Sequence, residues 1–289
     1  MFQGSIVALI TPWKDDALDR DAFADLIEFQ IENGTSAIVP CGTTGESATM
    51  SHEEHHDVIA FTVERVRKRV PVIAGTGSNA TYEAVDLTRR AKELGADAAL
   101  LVSPYYNKPT QEGLYRHYKF LADAVAIPMI VYNVPGRTGS SILPDTVARL
   151  SEIPNIVALK DAVGSIDYTS EVVSKCDITV LSGNDSMNLP IMALGGKGAI
   201  SVLANIAPRV TADLCGAALE GDWPKALALH KKHFNLCQAL FIESNPIPVK
   251  AAAEMMGLCG PELRMPLCPM GDANRAKLRA AMKEAGLLS

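Results

Sequence analysis

Eight short apolar runs, each followed by a helix-like stretch, predict an α/β protein: a (β/α)8 TIM barrel carrying C-terminal helices. Three observations support this. The runs 5–11, 37–40, 72–75, 98–102, 129–132, 156–160, 178–181 and 199–203 recur at roughly 20 to 35 residues per unit, as successive right-handed βαβ units do. Punctuation falls where such units need it: Asn33-Gly34, Leu94-Gly95 and Leu194-Gly195 place glycine where a helix ends, and Pro71, Pro128 and Pro154 precede strands. The length of 289 residues suits an α/β barrel, which commonly runs to about 250 residues as one unit.

In chain order, Met1-Phe2-Gln3-Gly4-Ser5-Ile6-Val7-Ala8-Leu9-Ile10 lacks a basic start and a small-residue cleavage site, so it reads as a first strand and not as a signal peptide. The run Asn155-Ile156-Val157-Ala158-Leu159-Lys160-Asp161 is apolar almost throughout, which fits a strand of a parallel sheet covered on both faces. After Leu203 the strand signal stops. Glu220-Gly221-Asp222-Trp223-Pro224 forms a turn, and helices are expected over about 224–240, 246–256 and 270–286. The expected organisation is a catalytic barrel over 1–222 and a helical domain over 223–289, with no linker or low-complexity segment.

Composition narrows the function. An apolar fraction of 48% with 21% charged residues is ordinary for a soluble globular protein. The net charge of −6 offers no basic footprint for nucleic acid or an anionic membrane. No apolar stretch approaches the ~18 residues of a membrane-spanning helix. The six cysteines are dispersed without a C-x-x-C pair, which favours reduced thiols and a cytoplasmic location.

The chemistry concentrates at strand ends, where barrels place active sites. Lys160 closes a buried strand. An ordinary lysine is neutral to about one part in a thousand near pH 7.5, whereas a shift of ~3 units by desolvation frees roughly half of it as an amine. Lys160 is therefore a Schiff-base candidate. Taken by itself it reads more readily as a strand-ending lysine that reaches water along its aliphatic stem. Its neighbours favour chemistry. Gly42-Thr43-Thr44-Gly45-Glu46-Ser47 follows the second strand, offering close backbone approach, amide groups for a carboxylate and two hydroxyls. Tyr132-Asn133-Val134-Pro135-Gly136-Arg137 follows the fifth, and Ser103-Pro104-Tyr105-Tyr106-Asn107 ends the fourth. These put phenols for proton transfer and a guanidinium for a carboxylate on the rim that carries Lys160.

Other motifs are weaker. Gly75-Thr76-Gly77-Ser78-Asn79-Ala80 imitates a dinucleotide fingerprint, but no acidic residue ends the next strand, so nucleotide binding is rejected. His52, His55 and His56 lie on an expected helix, with His52 and His55 on one face. They lack further ligands at metal spacing, as do His230 and His233. Cys41 beside the glycine-rich loop reads as a small buried hydrophobe.

Together these residues resemble the pyruvate-dependent class I aldolases of the dihydrodipicolinate synthase and N-acetylneuraminate lyase family. The likeness runs along essentially the whole chain, from Phe2-Gln3-Gly4-Ser5 to Asn245-Pro246-Ile247-Pro248-Val249-Lys250. It implies that Lys160 forms an imine with pyruvate and that Tyr132 moves protons. Thr43 would link Tyr132 to Tyr106, the latter reaching across a tight dimer interface, while Thr43 and Thr44 hold the pyruvate carboxylate. Arg137, the narrower marker, would bind the carboxylate of L-aspartate 4-semialdehyde, and Gly183 and Ile200 would line the pyruvate pocket. The implied reaction gives 4-hydroxy-tetrahydrodipicolinate, the first committed step toward lysine and diaminopimelate. The implied assembly is a homotetramer of two tight dimers. No metal or cofactor is expected beyond the covalent imine. Ser47, Ala48, His52, His55, Asn79, Glu83 and Tyr105 match positions that bind L-lysine as a feedback inhibitor in sensitive members. Asp161 departs from the pattern, where glutamate is expected.

Two alternatives stay open at this level. A lyase acting on N-acetylneuraminate or a 2-keto-3-deoxy sugar acid would use the same imine, and a non-enzymatic carboxylate binder would leave Lys160 unreactive.

Overall fold

The computed structural model describes residues 2–289. The strands are β1 (Gly4–Ala8), β2 (Trp13–Lys14), β3 (Ala17–Leu18), β4 (Ala37–Val39), β5 (Ile73–Gly75), β6 (Ala98–Val102), β7 (Met129–Asn133), β8 (Ile156–Asp161), β9 (Thr179–Ser182) and β10 (Gly198–Ser201). β2 and β3 form a small antiparallel hairpin outside the eight apolar runs. The other eight pair in the order β4-β1-β10-β9-β8-β7-β6-β5, and a parallel bridge between Ile38 and Val72 joins the two ends. This is the expected (β/α)8 barrel.

Alternation along each strand sorts side chains between two environments. Ile6, Ala8, Val39, Ile73, Leu100, Ile130, Ala158, Leu181 and Ile200 form one apolar cluster inside the barrel. Their sequence neighbours Val7, Ile38, Leu101, Val131, Leu159 and Val180 pack outward under the helices. This parity aims Lys160 and Tyr132 inward, since each stands two residues beyond an interior residue, Ala158 and Ile130 respectively.

Two strands end earlier than their apolar runs suggest. β1 stops at Ala8 although the run continues to Thr11, and the Ile10 amide donates to Asn205 Oδ1 at 2.9 Å instead of to a ladder. β10 stops at Ser201 because the Val202 and Leu203 amides donate to the Asp185 carboxylate at 2.9 and 2.8 Å. Helix ends follow local chemistry. Ser51 and Glu54 build a reciprocal capping box at the start of the helix His52–Val66. Gly34, Gly95 and Gly195 take positive φ just past helices, as helix C-termini require.

Helices Trp223–Ala239, Ile247–Met255 and Asp272–Glu284 occupy the expected C-terminal positions. Leu236, Leu240, Val249, Ala252, Leu278 and Met282 share one apolar cluster with Leu9, Ile10 and Val202, so these helices pack directly on the barrel. Among the described residues, no helix is long and apolar enough to cross a membrane.

Candidate active site

The site assembles at the C-terminal ends of the strands. Lys160 is register partner to Tyr132 across the β7–β8 ladder, with Nζ 4.2 Å from the phenol ring centre. Burial pulls the Lys160 pKa down to about 7, with Asp185 acting against that shift and Arg137 reinforcing it. Burial raises the Tyr132 phenol, opposed by the Arg137 charge and by a side-chain interaction with Thr43. The arrangement is an amine close to half neutral at physiological pH beside a phenol that keeps its proton. Gly183, after β9, leaves the space that the lysine stem needs, since a Cβ there would lie 3.0 Å from Lys160 Cε and 2.9 Å from Ala162 Cβ.

A cavity of about 790 Å³ opens above these groups, lined by Lys160, Tyr132, Thr43, Thr44, Arg137 and Gly183. Ile200 belongs instead to the interior cluster with Tyr132 and Leu181. The loop after β4 turns sharply, with Cys41 at φ 55° and Glu46 at φ 58°. Those left-handed values at non-glycine residues must be held by their surroundings. Glycine at position 75 permits the close approach, since a Cβ would meet Cys41 O at 2.2 Å. The dinucleotide-like glycines thus serve backbone packing.

Arg137 sits exposed on the single turn Pro135–Thr138, one arm donating to Asn245 O at 2.9 Å. Asn245 Nδ2 donates to Thr44 Oγ1 at 2.9 Å. Asn245 therefore ties the rim arginine to the threonine loop. In the sequence it stands only as the start of the run Asn245-Pro246-Ile247-Pro248-Val249-Lys250, because nothing local shows that it folds back onto Arg137 and Thr44, 108 and 201 positions earlier. Asp185 was missed entirely. It is 4% exposed and accepts from Ser201 Oγ at 2.5 Å and Asn188 Nδ2 at 3.2 Å besides the two β10 amides. One aspartate in a loop carries no sequence signal of that kind.

Of the expected effector residues, Ser47, Ala48, His52, His55, Glu83 and Tyr105 line the same cavity. His52 Nε2 lies 2.9 Å from Glu83 Oε1, and Ser78 Oγ donates to the other Glu83 oxygen. The Ser78 hydrogen bond holds the Glu83 carboxyl below its ordinary range against desolvation, with His52 helping. Burial lowers His55 to about 4, and its Nε2 meets Gly75 O at 2.8 Å. Asn79 stands beside this group, its carbonyl accepting from Asn107 Nδ2 at 2.9 Å. Tyr106 lies apart, 89% exposed at φ 73°. Burial pushes the Cys41 thiol far up, which removes it as a nucleophile.

Residues 1–285 match the model of the dihydrodipicolinate synthetase family. The chain belongs to this family. A curated 4-hydroxy-tetrahydrodipicolinate synthase from Citrifermentans bemidjiense is 61% identical over 290 residues, covering 100% of both chains. Among solved structures, the chloride-inhibited dihydrodipicolinate synthase of Acinetobacter baumannii complexed with pyruvate is 50% identical, covers 100% of both chains and superposes with a TM-score of 0.98. The family enzyme of Cyanidioschyzon merolae with lysine bound is 37% identical, covers 99% of both chains and has a TM-score of 0.95. The backbone that places Lys160 thus belongs to a family with both pyruvate and lysine complexes.

Proposed function

We propose that the protein condenses pyruvate with L-aspartate 4-semialdehyde to give 4-hydroxy-tetrahydrodipicolinate. The observation that carries this reading is Lys160, buried at a barrel strand's end with its pKa brought to about 7 and a protonated phenol beside it. The neutral amine attacks the pyruvate keto carbon, forming a C–N bond. The C–O bond of the carbinolamine then breaks and water leaves, with Tyr132 supplying and recovering protons. The resulting iminium draws electrons from the methyl group, which loses a proton to give an enamine. The enamine carbon attacks the aldehyde and forms the C–C bond. The substrate's own amino group closes the ring by displacing the lysine nitrogen, which returns Lys160 as the free amine.

Thr43 and Thr44 hold the pyruvate carboxylate, Gly183 and Ile200 shape its pocket, and Arg137 grips the semialdehyde carboxylate with the guanidinium arm that Asn245 leaves free. Tyr106 enters the site of a second copy in a tight dimer, two of which make a tetramer; its exposure at the rim supports this. L-Lysine binds among Ser47, Ala48, His52, His55, Asn79, Glu83 and Tyr105, with the anionic Glu83 beside its ammonium. The covalent imine serves without a separate cofactor, and dispersed free thiols support a cytoplasmic setting. Membership of a family whose curated relatives carry this name at 61% identity favours the synthase over a sugar-acid lyase.

The deciding experiment pairs a coupled assay using both substrates with borohydride reduction in pyruvate and peptide mass spectrometry. Turnover with an adduct on the Lys160 peptide is expected. An adduct on Lys197 or Lys250, or no adduct, would overturn the reading.

A further inference from the structure

Lys250 and Glu46 form a buried ion pair at 2.7 Å, each side chain 1% exposed. Neither touches Lys160, yet both attach to the threonine loop. Lys250 Nζ also donates to Thr11 O at 2.9 Å, and Thr11 Oγ1 donates to Gly45 O at 2.7 Å. The second Glu46 oxygen accepts the Arg264 amide at 3.0 Å. The Arg264 guanidinium stacks on the Trp13 ring at 3.8 Å and bonds Glu54 at 2.6 Å. A charge in the barrel loop is therefore clamped at both oxygens by residues more than two hundred positions later, and it belongs to the residue that holds φ 58°.

We infer that the Glu46–Lys250 pair is a positioning device that holds the Gly42–Gly45 turn so that Thr43 and Thr44 meet the pyruvate carboxylate. This positioning role rests on the proposed pyruvate chemistry and goes beyond it. A buried pair adds little stability over apolar residues of similar volume, because desolvating two charges offsets their attraction. What the pair does supply is direction: one carboxylate with fixed donors on each oxygen leaves the Glu46 backbone a single orientation. Asn245, five residues before Lys250 on the same C-terminal segment, adds the hydrogen bond to Thr44. The C-terminal segment thereby becomes a support for the carboxylate site without contacting substrate.

The test separates placement from folding. Glu46→Gln with Lys250→Met removes both charges together and leaves neither unpaired. Glu46→Asp is the second variant; it keeps both charges but draws the carboxylate back by one methylene. For each, borohydride trapping is measured against pyruvate concentration alongside thermal melting. The expected result is a pyruvate half-saturation raised by about tenfold or more in folded protein, with the trapped lysine unchanged. Half-saturation within twofold of wild type in either folded variant overturns the inference. If neither variant folds, hydrogen exchange in the wild-type chain decides: Gly45 and Glu46 amides protected like barrel strands support a held loop, and exchange as fast as that of exposed Gly136 overturns it. A wild-type chain that traps no pyruvate defeats the proposed function itself, whereas trapping with unaffected variants defeats only the positioning role.

Discussion

A β-carbon on Gly183 would stand 3.0 Å from Lys160 Cε, inside the distance at which carbons pack without displacement. The flexible end of the lysine would have to yield, and that end carries the reacting nitrogen. Ala162 Cβ and Asp161 O, at 2.9 and 3.1 Å, close the other directions.

Gly183→Ala should therefore fold but react slowly. A displacement on the order of 1 Å at a reacting atom costs about a hundredfold in rate, so trapping with pyruvate is expected to fall by roughly that factor. Trapping within threefold of wild type, with a normal melting curve, would remove the glycine from the catalytic argument.

The buried lysine predicts two pH dependences of known sign. Imine formation at subsaturating pyruvate should rise about tenfold per unit below pH 6 and level off above about pH 8, because the attacking amine becomes neutral near pH 7. An inflection near the ordinary 10.5 would contradict the burial effect. For stability, the folded pKa lies below the unfolded one. Between about 7 and 10.5 the unfolded chain thus binds the extra proton, and this group's contribution becomes more favourable as pH rises. Lys160→Met should raise the melting temperature most at or below about pH 7, with the gain shrinking toward pH 10.

Arg137 offers a planar fork of which one arm is already fixed on Asn245 O. Arg137→Lys keeps the charge and loses the paired geometry. Half-saturation for the semialdehyde should rise sharply, and further still in Arg137→Ala, where the charge itself is lost. Pyruvate trapping should change less. Equal damage to both half-reactions would be evidence against the assigned role.

Glu83, which lines the cavity, is held anionic by Ser78 and His52. Inhibition by L-lysine should be partial, with a coupling on the order of 1 to 3 kcal/mol, and Glu83→Ala should relieve it while pyruvate trapping continues. Calorimetry that detects no lysine binding to the wild-type chain would sink the proposal.

The barrel was readable in the sequence because its signals are local. Strand parity, glycines past helix ends and the short units all follow from backbone geometry within a few residues. Even so, the apolar runs ending at Thr11 and Leu203 overshot β1 and β10. The groups that cut those strands short, Asn205 and Asp185, arrive from elsewhere in the fold.

The strand-end placement of Lys160, Tyr132, the threonine loop and Arg137 was legible along the chain, since a barrel delivers every strand terminus to one rim. Which side chains meet depends on the closed fold. Asp185 facing the Lys160 charge, Gly183 vacating its space, Asn245 linking Arg137 to Thr44, and Lys250 meeting Glu46 all join segments from different units. Such contacts depend on how the strands close and how the C-terminal helices pack back, and no periodicity along the chain records a partner two hundred residues away.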